Sequence, residues 1–331
     1  MKFDIPICIF FFNRPDTTIR VLKQVSKIKP EKLYLLCDGG RNNQESEDVN
    51  NCRKSVESAI DWECEVIKKY SNKNIGVYGN IGKGAQWVFS KEDCAIFLED
   101  DNLPENTFFY YCKEMLEKYQ YEDKVLWVCG TNYLEKYKPK DGSSYVFTKH
   151  LMPCGWASWS NKFNKYYDIN LDLARDKKSM SELKNQYLNK SLFYQQRYNF
   201  YSTIYKIDSD PTKSSWDHQM SFSIRHHGLY GISPSVNLIS NIGVDERSTH
   251  GGNSLNKVMT RRFCGIKSSD IDFPLVHPSK ITIDLEYEKK VARIILMPLL
   301  NRIIIFCVRI IKPLFGIKKY ESVYDKFKND I

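Results

Sequence analysis

The stretch Cys94-Ala95-Ile96-Phe97-Leu98-Glu99-Asp100-Asp101 decides the fold. Its apolar part has no Pro, no Gly and no polar alternation, which is the pattern of a strand buried on both faces of a parallel sheet. Three adjacent carboxylates follow at once. In open α/β sheets ligands sit outside the carboxyl ends of the strands, so these acids emerge where a ligand would bind. Neighbouring negative charges repel and are costly to desolvate without a cation. Mg²⁺ or Mn²⁺, shared with substrate phosphates, suits such oxygen ligands. Asp101 or Asn102 can also cap a helix starting near Pro104, a role that leaves Glu99 and Asp100 unused.

Toward the N-terminus, residues 5–12 read as a first buried strand, and Asn13-Arg14-Pro15-Asp16 as a turn into a helix reaching about Ile28. Residues 32–37 read as a second strand ending in Asp38-Gly39-Gly40-Arg41. A helix from Glu45 to Ile60 and a weaker strand from Cys64 to Tyr70 come next. The glycine-rich loop at 74–84 lacks P-loop spacing. It either approaches a phosphate through its amides or is an ordinary connection. Strand–helix alternation over this half predicts a doubly wound α/β unit.

Toward the C-terminus, a helix is expected over Phe108 to Tyr119 and a strand over Val125 to Cys129. A compact Gly/Trp segment at 153–159 and a polar helical region at 168–207 follow. Trp216-Asp217-His218-Gln219 leads into a helix from Met220 to His227, then an extended run from Gly231 to Ile242. A Gly/Ser/Asn-rich loop at 243–256 carries Thr249-His250.

The chain of 331 residues is 42% apolar, enough for a substantial core in one large domain or two packed ones. Its ten cysteines form no CxxC pair, which leaves a zinc ribbon or thioredoxin-type motif unsupported. Met1-Lys2-Phe3-Asp4 runs straight into a strand-like segment, so no secretory leader is expected and a reducing cytoplasm is the expected compartment. Residues 289–331 hold ten Lys/Arg against three acids, which is seven of the nine net positive charges. The near-neutral body argues against nucleic acid as a partner.

From Lys289 to Lys319 the chain is apolar, broken by Pro298 and Pro313, and interrupted by Arg302 and Arg309. Those charges disfavour a spanning helix. Asn301, Arg302, Arg309 and Lys312 share an arc of about 100° with Ile305 on a helical wheel. The segment reads as a basic amphipathic helix on an anionic membrane, or as a helix docked on the body or on a second subunit.

Phe12-Asn13-Arg14-Pro15, Cys37-Asp38-Gly39, Asn74-Ile75-Gly76, Leu98-Glu99-Asp100-Asp101, Gly155-Trp156-Ala157-Ser158-Trp159, Trp216-Asp217-His218-Gln219 and Asn241-Ile242-Gly243 occur in that order. Together they resemble the bacterial GT-A-fold, family-2-like glycosyltransferases of surface-polysaccharide (capsule or lipopolysaccharide) synthesis. The resemblance implies a GT-A domain over 1–285, with a nucleotide-binding half to about 101 and an acceptor half from about 102. Residues 286–331 would then be a membrane-association or oligomerisation segment.

It further implies that Asp101, with His250, holds a divalent ion on the donor diphosphate, while Glu99 and Asp100 serve the donor side. Phe12, Asn13, Arg14 and Gly76 would line the nucleotide. Asp38 would accept a hydrogen bond from uracil N3–H, favouring a UDP-sugar, or would only form its Asp-Gly-Gly turn. Asp217 would be the base of an inverting transfer, ahead of His218 and Glu246, or would only cap its helix. Gly155, Trp156 and Trp216 would line the donor–acceptor junction, or the tryptophans would pack in the core. The acceptor would be a carbohydrate, lipid-linked if the tail binds the inner face of the cell membrane. Two rival readings stand beside this one. A sugar-nucleotide nucleotidyltransferase would carry a GxGxR-type loop where Asn13-Arg14-Pro15 stands. A membrane-peripheral carbohydrate-binding protein would keep the fold without catalysis.

Overall fold

The computed structural model describes residues 3–244 and 254–321. The first half alternates as its apolar runs dictate: β1 (Ile7–Phe11), α1 (Pro15–Ile28), β2 (Lys32–Cys37), α2 (Asn43–Ser58) and β3 (Glu65–Tyr70). A π-helical turn over Tyr78–Lys83 continues into α3 (Gly84–Val88). Then come β4 (Cys94–Glu99), β5 (Asn102–Pro104), α4 (Asn106–Lys118) and β6 (Val125–Cys129). Pro15 starts α1, where its missing N–H costs nothing. The Asn42 side chain caps α2 by accepting from the Glu45 amide at 2.9 Å.

The second half contains β7 (Tyr145–Thr148), β8 (Trp156–Trp159), α5 (Ser160–Tyr166), α6 (Asp172–Arg175), α7 (Lys177–Leu183), α8 (Lys190–Ser209) and α9 (Asp217–His226). After these come β9 (Tyr230–Pro234), β10 (Ile239–Asn241), α10 (Val258–Cys264), α11 (Leu285–Ile295) and α12 (Leu299–Ile311). Eight strands form one sheet in the order β3-β2-β1-β4-β8-β6-β9-β7. Pairing is parallel except where β8 and β7 meet their neighbours, so the sheet is mixed and mainly parallel. β5 and β10 form a separate antiparallel ladder at the carboxyl end of β4.

Three expected segments gain detail. In the compact segment 153–159 the Trp-Ala-Ser-Trp part is β8, a fully buried strand between β4 and β6. The region 168–207 is three helices and a 3₁₀ turn, with Leu171 in the left-handed region at φ 55° before α6. The extended run at 231–242 divides between the main sheet and the small ladder.

The middle of the sheet is held by stacked rings. Trp156 lies between Phe97 and Trp127, with centroids 4.0 and 4.1 Å away and planes within 17°. Facing rings of this size bury much apolar area and fix their own orientation.

The boundary expected at 285/286 also changes, because α11 belongs to the body. Tyr287, Glu288, Val291 and Ala292 are buried, and the Tyr287 hydroxyl hydrogen-bonds Ser233 Oγ at 2.6 Å and donates to Asn132 Oδ1 at 3.0 Å. Glu288 Oε1 accepts from Arg225 Nη2 at 2.9 Å, and Oε2 accepts from the Thr148 hydroxyl at 2.7 Å and the Lys149 amide at 3.0 Å. His150 Nε2 lies 3.3 Å from Glu288 Oε1. Burial holds the His150 imidazole down at about 4. Burial pushes the Glu288 carboxyl up, but His150, Arg225 and Thr148 outweigh it and hold it at about 2.

Both folded pKa values lie below the ordinary 6.5 and 4.5, so the unfolded chain takes up these protons first as pH falls. The stability this network contributes is therefore full above pH 6.5 and is lost as His150 titrates toward 4 and then as Glu288 titrates from 4.5 toward 2, so the wild-type advantage in urea midpoint over Glu288→Gln should shrink across that range. Glu288→Gln leaves Arg225 buried without its counter-charge and should cost about 3–5 kcal/mol at neutral pH. A loss below about 1 kcal/mol, the size of an exposed pair, would contradict this role for the network.

Candidate functional site

β1 and β4 run parallel, with Phe10 opposite Glu99, so the segments leaving them emerge together. Phe12-Asn13-Arg14 thus stands beside Glu99-Asp100-Asp101. The Phe12 amide donates to Asp100 Oδ2 at 3.3 Å. Arg14 Nη2 donates to Asp100 Oδ1 at 2.6 Å and to Asp101 Oδ2 at 3.1 Å. Its Nη1 donates to the Gly243 carbonyl at 3.4 Å. Asp101 Oδ1 accepts from Asn102 Nδ2 at 2.6 Å, and the Asp101 carbonyl accepts from the Ile242 amide at 2.9 Å. A Cβ added to Gly243 would collide with the Asp101 carboxylate, so glycine is what lets this strand approach.

The charges do not balance. Burial and the neighbouring Asp101 push Asp100 up to about 6 despite Arg14. Burial and the charges of Asp101, Asp100 and Asp217 push Glu99 well above the carboxylate range. Burial opposes the Arg14 charge, but Asp100 and Asp101 outweigh it and keep the guanidinium protonated. A concentration of hard oxygen ligands carrying excess negative charge fits Mg²⁺ or Mn²⁺. Among the described residues no three His, Cys, Asp or Glu side chains could hold an ion by themselves.

Asp217 is the first residue of α9, and its carboxylate does not cap that helix. It accepts instead a short hydrogen bond from the Ser215 hydroxyl. Burial raises the pKa of Glu99, Tyr133 and Tyr167, and the Asp217 charge adds to each rise. Asp217 therefore shares one electrostatic environment with the acids of β4, from the opposite half of the chain. Gln219 Nε2 fixes the start of α9 by donating to the Ser215 and Ile169 carbonyls at 3.1 and 3.2 Å. His218 Nδ1 is 2.7 Å from the Thr203 hydroxyl on α8, which turns it away from Asp217.

Other expected site residues have structural partners. Asp38 is buried, and its carboxylate accepts four hydrogen bonds, from the amides of Gly39, Ile75 and Gly76 and from Asn74 Nδ2, at 2.8 to 3.1 Å. A carboxylate offers about four acceptor positions, so none remains for uracil N3–H. Burial raises its pKa, and the three amides offset this only in part. Gly76, at φ 67°, sits where a Cβ would strike the Thr212 carbonyl. It anchors the loop under Asp38. Asn13 Nδ2 reaches Glu45 Oε1 at 3.4 Å, and Arg41 lies over the Phe12 ring at 5.7 Å.

The junction residues are corrected too. Trp156 is 1% exposed inside the ring stack, and Trp216, at 5%, stacks on it with centroids 5.6 Å apart. Neither has a free face for a sugar. Gly155 is buried at φ 63°, donates its amide to Asn102 Oδ1 at 2.8 Å, and lies against Ile239. It therefore positions the Asp101-Asn102 turn. His250 and Glu246 lie outside the described residues.

The sequence reading missed Tyr133, Tyr167, Cys154 and Ser215. Tyr133 and Tyr167 feel the Asp217 charge, and Cys154 feels Glu99 and Asp101. Tyr133 was within reach of the strand-end rule, since it follows β6 by four residues. Tyr167 and Ser215 carry no local signal.

No protein-family model matches the chain, and no curated protein matches it in sequence. Among solved structures, the apo form of mouse xyloside xylosyltransferase 1 matches with TM-score 0.37 and 10% identity, over 68% of this chain and 82% of that one. 4-Diphosphocytidyl-2C-methyl-D-erythritol synthase from Anaerococcus prevotii matches with TM-score 0.34 and 10% identity, over 58% and 83%. An active-site mutant of LgtC matches with TM-score 0.30 and 11% identity, over 55% and 64%. Similarity at this level does not assign an activity.

Asp38→Ala removes the acceptor of three buried amides and should lower stability by about 2–4 kcal/mol in urea unfolding. If Asp38 were instead a base-reading residue, the variant would keep wild-type stability and change nucleotide preference.

Proposed function

We propose that the chain is a metal-dependent glycosyltransferase that moves a sugar from a nucleoside diphosphate donor to a carbohydrate acceptor with inversion. The observation that carries this reading is the cluster Glu99-Asp100-Asp101 held by Arg14 at the carboxyl end of β4, with the Asp217 charge felt at Glu99. Asp101 would hold the ion, with Asp100 held behind it by Arg14 and the Phe12 amide. The bound ion would offset the diphosphate charge and stabilise the leaving nucleotide.

Asp217 would take the proton from the attacking acceptor hydroxyl. As that oxygen bonds to the sugar's anomeric carbon, the carbon–oxygen bond to the diphosphate breaks and the nucleoside diphosphate leaves. The Ser215 hydroxyl fixes the orientation of one Asp217 oxygen, which leaves the other to receive the proton. Burial keeps the Tyr133 and Tyr167 phenols protonated, and the Asp217 charge acts in the same direction. With Asp38 filled by its own loop, the donor base is the one that the donor panel below identifies. The resemblance of the motifs to surface-polysaccharide transferases supports a glycan or glycolipid acceptor.

The test is nucleotide release from a panel of UDP-, GDP- and dTDP-sugars with Mn²⁺ or Mg²⁺, then with EDTA. One donor should be turned over, and EDTA should stop it. Asp217→Asn should lower kcat by about 10²- to 10⁴-fold while calorimetry shows donor binding unchanged. Asp101→Ala should lower both binding and turnover. Pyrophosphate formation from a nucleoside triphosphate and a sugar phosphate would replace this reading with the nucleotidyltransferase. Full activity in Asp217→Asn would remove the assigned base.

A further inference from the structure

Helix α12 turns its polar side inward and its apolar side outward. None of its residues is buried. Leu300, Ile304, Phe306 and Ile310, with Leu314 and Phe315 just beyond, are 52–82% exposed. Arg302, Ile305, Arg309 and Lys312 fall within about 80° on the helical wheel, and the exposed apolar residues occupy the remaining arc. The inward side is anchored to the body. The Arg309 guanidinium lies 3.3 Å from the centre of the Tyr198 ring on α8, and Tyr320 packs on Tyr198 with centroids 5.3 Å apart. Lys312 Nζ donates to the Glu321 carbonyl at 2.6 Å and is nearly buried. On the sequence alone these cations would meet lipid headgroups. The fold instead uses them to hold the helix with its apolar face presented.

We propose that α12 is an in-plane anchor whose apolar face inserts into the surface of an anionic lipid bilayer. Contiguous exposed apolar area of this extent marks an interaction site. The occupant is argued from length and charge. Thirteen residues span about 20 Å, short of the roughly 30 Å hydrocarbon layer. No single helix among the described residues is long and apolar enough to cross a membrane; α11 and α12 are so only as a pair bent by 55°, and α11 packs into the body, with Tyr287, Glu288, Val291 and Ala292 buried there. Residues 289–321 hold eight Lys/Arg against the one acid Glu321. Five of the eight are exposed at the two ends of the face: Lys289, Lys290 and Arg293 before it, Lys318 and Lys319 after it. A second copy would set like charges against each other, whereas an anionic headgroup layer neutralises them. Insertion then draws on apolar burial, with the end cations adding attraction. This inference does not rest on the transferase reading.

The test is cosedimentation of the full chain with vesicles of phosphatidylglycerol and phosphatidylcholine, and with phosphatidylcholine alone, at low and high salt. Wild type should pellet with the mixed vesicles, more weakly with the neutral ones, and high salt should weaken binding without abolishing it. Ile304→Glu with Phe306→Glu should lower the affinity by on the order of 100-fold or more. The same variant should keep its thermal midpoint, since both residues are exposed. Wild-type protein that stays in the supernatant with every vesicle overturns the proposal. So does a lipid-free dimer that the double variant converts to monomer while vesicle binding is absent. Unchanged vesicle binding by the folded double variant overturns it as well.

Discussion

The parallel register of β1 against β4 brings Arg14 within hydrogen-bond distance of two consecutive aspartates. Much of the site follows from that juxtaposition. A shift of one residue would move the side chains of β4 to the opposite face and separate the guanidinium from the carboxylates. The register is held from below by rings on β4, β8 and β6, where Phe97, Trp156 and Trp127 stack face to face. The short ladder of β5 with β10 holds it from above, carrying Gly243 against Asp101. The acid cluster is therefore costly in charge but well supported in shape. That is how a fold keeps like charges together for a ligand.

Asp38 and Asp100 show how little residue type decides alone. Both are buried aspartates at the carboxyl ends of parallel strands, and burial raises the pKa of both. Asp38 spends its acceptors on backbone amides and clamps the 74–76 loop to β2. Asp100 meets a guanidinium and lies beside another carboxylate, so its neighbourhood is electrostatically responsive. The first is an element of structure, and the second belongs to the candidate site.

At the other end of the chain, Pro298 separates two amphipathic helices of opposite fate. α11 sends Tyr287 and Glu288 into the body, where Arg225, Thr148 and His150 meet the carboxylate. α12 touches the body through its cations and leaves its apolar face outside. A single label of amphipathic tail covers both, because periodicity shows which side of a helix is apolar and not what lies opposite that side.

The sequence by itself determined the strands of the first half, the place of Glu99-Asp100-Asp101 at a strand end, and the place of Asp217 at the start of a helix. These are local signals: apolar runs without breakers, turn residues at strand ends, and an acid at the start of a helix. The tertiary structure decided which strand is β4's neighbour on the second half, because β8 is four residues without any strand period of its own. It also decided that Trp156 and Trp216 are core, that Asp38 is saturated, and that the Ser215 hydroxyl binds Asp217. All but the last depend on groups distant in sequence competing for the same hydrogen bonds and the same volume. No local pattern records that competition.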